Sequence, residues 1–150
     1  MFLKALECEA AVKPKAMMNL GLLYNTRGDF LAQTGDFEGA KAAALNAEKY
    51  IVGAKPLLEG MAASPNADPD VATYLAQYRP LRLVNHRLVG QLAANAGDMA
   101  TCEAEFRRAT ENFPDDLGAW QMLGRVLEIQ GKTEEMQQVI EKVVSLRRTQ

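Results

Sequence analysis

This sequence of 150 residues predicts an all-α fold of antiparallel helical hairpins, on three observations. Alanine and leucine together number 41 against 12 valines and isoleucines. Branched side chains lose χ1 freedom in a helix, so that balance favours helix over sheet. The chain also repeats itself at an offset of 34 residues, Leu83 to Asp116 laying over Leu117 to Gln150 without a gap. Turn residues keep the same step, with Pro80 and Pro114, and Gly97 and Gly131, in matching places.

The elements follow in chain order. Phe2-Leu3-Lys4-Ala5-Leu6-Glu7 has the pattern of the end of a hairpin's second helix, so residues 1–12 read as a partial repeat or a capping helix. Next comes one long helix, Pro14 to Gln33. Within it Gly28-Asp29-Phe30 and then Gly35-Asp36-Phe37 are a local duplication seven residues apart. Seven residues turn a helix by about 700°, so the insertion rotates the apolar face by only about 20°. A second helix runs from Phe37 to about Ile51, with Ala40, Ala44 and Ala47 as its tight-packing face, and 14–51 is one repeat with an insertion.

Residues 52–82 read as a degenerate repeat. Ser64-Pro65-Asn66-Ala67-Asp68-Pro69 is a loop, with Pro56 to Ala63 a short helix before it. Asp68 offers an oxygen acceptor just ahead of a proline that has no donor to lose, which starts a helix from Pro69 to Arg79. Pro80 closes it. The spans 83–116 and 117–150 are the two clear repeats.

The residues that recur are Trp120, Leu123, Gly124 and Leu127, then Met136, Ile140 and Val143. One period earlier they are His86, Val89, Gly90 and Ala93, then Cys102, Phe106 and Ala109, closed by Pro114. A period of 34 with W-x2-L-G early, an apolar pair late and a closing proline resembles the tetratricopeptide repeat family, a helix-turn-helix unit. The resemblance implies a right-handed α-solenoid of stacked antiparallel hairpins whose first helices line a concave groove. It further implies a non-catalytic protein-protein interaction module, a scaffold or adaptor that holds a peptide or helix of a partner protein. Its groove positions would be Lys15, Met18, Leu22 and Asn25, then Arg87, Gln91 and Asn95, then Gln121, Arg125 and Glu128. Leu88, Gly118 and Met122 stand where the family's clamp for a terminal carboxylate uses Lys, Asn and Arg, so that ligand is not expected.

Two other readings stay open. The chain could be an accessory domain of a larger enzyme or of a secretion or assembly machine. It could also be a self-associating scaffold module, docking Met136, Val139, Ile140, Val143 and Val144 on another copy. The opposite face of that helix, with Glu134, Glu135, Gln138, Glu141 and Lys142, is polar enough for an end cap and favours a monomer.

Composition excludes several classes of function. The net charge of −2 gives no bulk field to hold a phosphate backbone, so nucleic acid is not an expected partner. The longest run free of Asp, Glu, Lys and Arg is Ala16 to Thr26, 11 residues, against the ~20 that span a bilayer. With Lys4, Glu7 and Glu9 near the start, no targeting segment is visible, and the cytoplasm is the expected compartment.

Cys8 and Cys102 are too few and too far apart, beside the one histidine His86, for a structural zinc site, and no native disulfide is expected. His86 falls in the slot of Trp120 and is expected to pack. Cys102 is expected to be a small, inert core residue.

Gly21, Gly90 and Gly124 cost about 1 kcal/mol each in a helix interior and are expected where a small residue of the neighbouring helix comes close. Gly97 and Gly131 suit left-handed helix ends. Gln130-Gly131-Lys132-Thr133 imitates the end of a phosphate-binding loop, but Val126 stands where the first glycine belongs and a helix precedes it. No catalytic constellation and no cofactor site can be assembled. Arg79, Arg82 and Arg87 could form a basic patch, or could be a solvated helix end.

Overall fold

The computed structural model describes residues 12–150. These residues form six helices and no strand: α1 (Lys13–Gln33), α2 (Phe37–Ala62), α3 (Pro69–Asn95), α4 (Met99–Asn112), α5 (Leu117–Ile129) and α6 (Thr133–Arg148). The element expected over 1–12 and Cys8 lie outside the described residues, apart from Val12, whose carbonyl accepts the Ala16 N–H. The chain divides into two compact units, Met1–Leu88 and Val89–Gln150.

In the first unit α1 packs along α2, and the burial pattern gives the reason. Pro14, Met18, Gly21, Asn25 and Gly28 are buried on α1, and Ala40, Ala44, Ala47, Ile51, Ala54 and Leu58 on α2. Both rows step by four and three, a heptad seam, so an insertion of seven residues leaves the face in register. Small residues on both sides let the backbones approach. A methyl group at Gly21 would overlap Ile51 Cγ1. Tyr24 and Tyr50 stack beside the seam at 5.8 Å. Beyond it Met18, Ala54, Leu58 and Val71 form a core with Tyr74, Leu75, Tyr78 and Leu81 packed around it.

In the second unit α4 packs on α5 and α5 on α6. Cys102 and Phe106 share a core with Leu123, Val126, Leu127 and Val139. The glycines do bring helices together, but the approaching side chains are not the small ones expected. At Gly90 an added Cβ would lie 2.6 Å from the Phe106 ring, and at Gly124 3.3 Å from Val139 Cγ1. Glycine here is a socket for a large neighbour.

Three turns are copies of one design. Gly35, Gly97 and Gly131 have φ of +87°, +79° and +70°. At each, the glycine N–H donates to the carbonyl three residues back and the next N–H to the carbonyl five back, closing the preceding helix. The next residue then caps the following helix: Asp36 accepts the Gly39 N–H at 2.9 Å and Asp98 the Thr101 N–H at 3.0 Å. The third turn has Lys132 instead, which makes no cap and reaches Glu103 Oε2 at 2.7 Å. Asp68 starts its helix as expected, accepting the Asp70 N–H at 3.0 Å, and Asp116 starts α5, accepting the Ala119 N–H at 2.9 Å.

Two helix ends differ from expectation. α2 does not stop near Ile51 but continues through Pro56 to Ala62, and α3 does not close at Pro80 but runs on to Asn95. The segments Pro56 to Ala63 and Pro69 to Arg79 are therefore parts of longer helices. A proline removes one hydrogen bond and crowds the carbonyl four residues back. Pro56 and Pro80 are both exposed, so the freed carbonyl can turn to water, while burial of Ala54, Leu58, Arg82 and Asn85 holds the helix on both sides of the break.

Charges tie the second unit's turns together. Glu103, nearly buried, accepts from Lys132 at 2.7 Å and from Arg107 Nε at 2.8 Å, and Arg107 also pairs with Glu135. Lys132 above all, then Arg107, hold the Glu103 carboxyl below its usual range against burial, which pushes it up. A carboxyl depressed in the fold adds stability above its unfolded pKa of about 4.3, and that stability is lost as pH falls through the folded value. Glu103→Gln is expected to flatten the loss of stability between about pH 5 and pH 3, measured by urea unfolding across that range.

Candidate functional site

The ten groove positions sort into three groups. Met18 and Asn25 are both buried, Met18 in the core and Asn25 on the lining of a cleft between α1 and α3. Met18 belongs to the core with Ala54 and Leu58, because it occupies the heptad seam of α1. Asn25 is on the same seam and donates to the Leu81 carbonyl at 3.0 Å. Lys15 is half-buried and held by Asp68, at 2.6 Å, with Asp70 at 3.8 Å. The Asp68 hydrogen bond raises the Lys15 pKa, and Lys15 in turn lowers that of Asp68.

Leu22, Arg87, Gln91, Asn95, Gln121, Arg125 and Glu128 are exposed. In the first unit, Leu22 lines a cleft of about 330 Å³ between α1 and α3, together with Asp29, Phe30, Leu81 and Val84. Leu22 is 49% and Phe30 63% exposed. Arg87 stands at one edge, its guanidinium 3.9 Å from Asp29. Phe30 and Asp29 were missed as lining residues, although the duplicated Gly-Asp-Phe that contains them was visible in the sequence. In the second unit Gln121, Arg125 and Glu128 line a cleft of about 750 Å³ between α5 and α6, floored by Trp120, Met136 and Val139. Trp120 is anchored by its Nε1–H, which donates to the Pro114 carbonyl at 2.9 Å.

Arg79, Arg82 and Arg87 do not form one basic patch, because Arg82 points inward. Arg82 is 2% exposed and bonds Glu48 Oε1 at 2.9 Å and Asn85 Oδ1 at 2.8 Å. Asn85 Nδ2 donates to the Ala44 carbonyl at 2.8 Å and to Asn25 Oδ1 at 3.2 Å. This buried polar chain joins α1, α2 and α3 and leaves no periodic signature, since Asn85 recurs one period later as Ala119.

His86 is fully buried, which fits packing in the slot of Trp120. Cys102 is buried and free, and burial, helped by Asp98, pushes its thiol pKa up, the setting of an unreactive cysteine. Among the described residues no group of three His, Cys, Asp or Glu side chains could hold a metal ion. No helix among them is long and apolar enough to cross a membrane.

Residues 105–138 match a family model described as a tetratricopeptide repeat. Over those residues the chain is similar to one tetratricopeptide repeat. The match spans one 34-residue period and contains Phe106, Ala109, Pro114, Trp120, Leu123, Gly124, Leu127 and Met136, the residues that carried the resemblance. No curated protein and no solved structure matches the chain. Tetratricopeptide repeats are in general protein-interaction modules without catalytic activity, and the all-helical fold agrees with that architecture.

Proposed function

We propose that the chain is a non-catalytic interaction module that holds an amphipathic peptide or helix of a partner protein. In the first unit the contact surface is the cleft between α1 and α3. The observation that carries the reading is the pair Leu22 and Phe30, half or more exposed on a cleft that also presents Asp29 and Arg87. Apolar side chains left in water beside a fixed charge suit an amphipathic segment, which buries one stripe and keeps its polar stripe wet. In the second unit Gln121, Arg125 and Glu128 supply polar contacts, and Gln91 and Asn95 remain available on the end of α3.

The test is a charge reversal at both faces. Arg87→Glu with Arg125→Glu is expected to reduce capture of the partner recovered from native lysate by about tenfold or more. Helicity and melting are expected to hold, because the Arg87–Asp29 pair is exposed and such pairs contribute little. Capture is read by quantitative mass spectrometry against the unaltered protein. Full capture by the doubly altered protein would remove both faces from the mechanism.

A further inference from the structure

α1 is buried on two sides. One is the seam of Pro14, Met18, Gly21, Asn25 and Gly28. The other is its back, where Ala16 is 3% and Leu20 8% exposed, although at 100° per residue they stand about 160° and about 120° from the middle of the seam. The described neighbours do not account for this. At this level α2 meets α1 along the seam and at Met17, and α3 with its preceding loop meets it at Lys15, Met18 and Leu22, all within about 100° of the middle of the seam. Residues 63–68 of that loop are exposed throughout. An alanine opposite the packed face of a helix is ordinarily wet, so another segment rests on Ala16. That cover is short: Leu23, on the same back just beyond Leu20, is 51% exposed, and Arg27 one turn further is exposed too.

We propose that residues 1–11 fold back from Val12 and lie antiparallel on this face, as an intramolecular ligand of α1. Three features select that occupant. First, the segment ends where α1 begins, so the face it reaches first is the back of the opening turns, where the burial is found. Second, its length matches the cover. Eleven helical residues extend about 16 Å, and α1 rises about 12 Å from Val12 to Leu20. A partner helix of ordinary length would have covered Leu23 as well.

Third, its sequence carries one apolar stripe. Phe2, Leu3, Leu6 and Ala10 recur at i, i+1, i+4 and i+8, within about 100° of arc at helical spacing, and Lys4, Glu7, Cys8 and Glu9 fall outside it. Such a stripe buries itself on Ala16 and Leu20 and leaves its charges in water. Pro14, at the start of α1, sits where its missing N–H costs nothing and fixes the helix directly after the reversal. Residues of the α1–α3 cleft take no part, so this contact does not depend on the function proposed above.

A nitroxide on Cys8 of the full, isotope-labelled chain tests the proposal by nuclear magnetic resonance. Cys8 stands outside the apolar stripe, and Cys102 is buried. The amide resonances of Ala16 and Leu20 are expected to lose most of their intensity. Those of Gln33, about 26 Å along the same helix from Ala16, are expected to keep theirs. Leu6→Glu puts a charge into the stripe and is expected to abolish the broadening with the helicity of the chain unchanged. Nitroxide-bearing chain without isotope, mixed with isotope-labelled chain without nitroxide, is expected to broaden nothing. Broadening that misses Ala16 and Leu20, or that survives Leu6→Glu undiminished, overturns the proposal. Broadening across chains in the mixture overturns it as well, and gives the face to a second copy.

Discussion

Gly21→Val is expected to destabilise the first unit by about 3 kcal/mol, at the upper end of the usual overpacking range. The position lies at the middle of the α1–α2 seam, where even a single methyl would overlap Ile51 Cγ1. Ile51 is itself fully buried, so it has no free direction in which to swing. The two helices would have to separate, and the alanines along α2 would lose contact with them. Helix propensity acts in the opposite direction, since glycine costs about 1 kcal/mol relative to alanine in a helix interior. Gly21→Ala therefore shows the clash reduced by that gain, and valine shows it at full size. Urea unfolding followed by circular dichroism measures both. Ile51→Ala removes the atom that would be struck, so Gly21→Ala should cost less in that background than alone. If both glycine substitutions are neutral, the seam is not packed as described.

The sequence made the helices legible because their starts and stops carry strong local chemistry. A glycine with positive φ, followed by an aspartate that caps the next helix, appears at Gly35-Asp36 and Gly97-Asp98, and the 34-residue step extends the turn to Gly131. The ends that were misread are the ones marked by proline. Pro56 and Pro80 break helices only when nothing else holds them, and here buried residues on both sides do. Leu22, Arg87, Gln121, Arg125 and Glu128, read from the repeat as groove positions, are exposed. Met18 and Asn25 are buried because the α1–α2 pair follows a heptad seam that claims those positions for packing. Asn85 and Arg82 were illegible for a different reason: a polar residue in a buried register is tolerated only through partners far away in sequence, and no local pattern records them.

Arg82→Ala is expected to be among the most costly substitutions in the first unit, about 3 to 5 kcal/mol, because it strips one partner from a buried ionic contact. Glu48 loses its contact with the guanidinium, and Asn85 loses the donor to its Oδ1. Asn85 cannot simply turn away, since its Nδ2 is committed to the Ala44 carbonyl and to Asn25. The loss would therefore be felt by all three helices of the unit. Arg82 is not, however, an optimal anchor: its Nε is buried with no hydrogen-bond partner. An unsatisfied buried donor costs about 1 to 3 kcal/mol, so part of what the ion pair contributes is already offset in the native protein. Arg82→Met, which fills the space and removes that orphaned group, should then cost less than Arg82→Ala. A double-mutant cycle of Arg82→Met with Glu48→Gln measures the ionic contact itself, with an expected coupling of about 1 to 3 kcal/mol. Coupling near zero would mean that Arg82 acts through its bond to Asn85 and its bulk, and that Glu48 serves only as a neighbour.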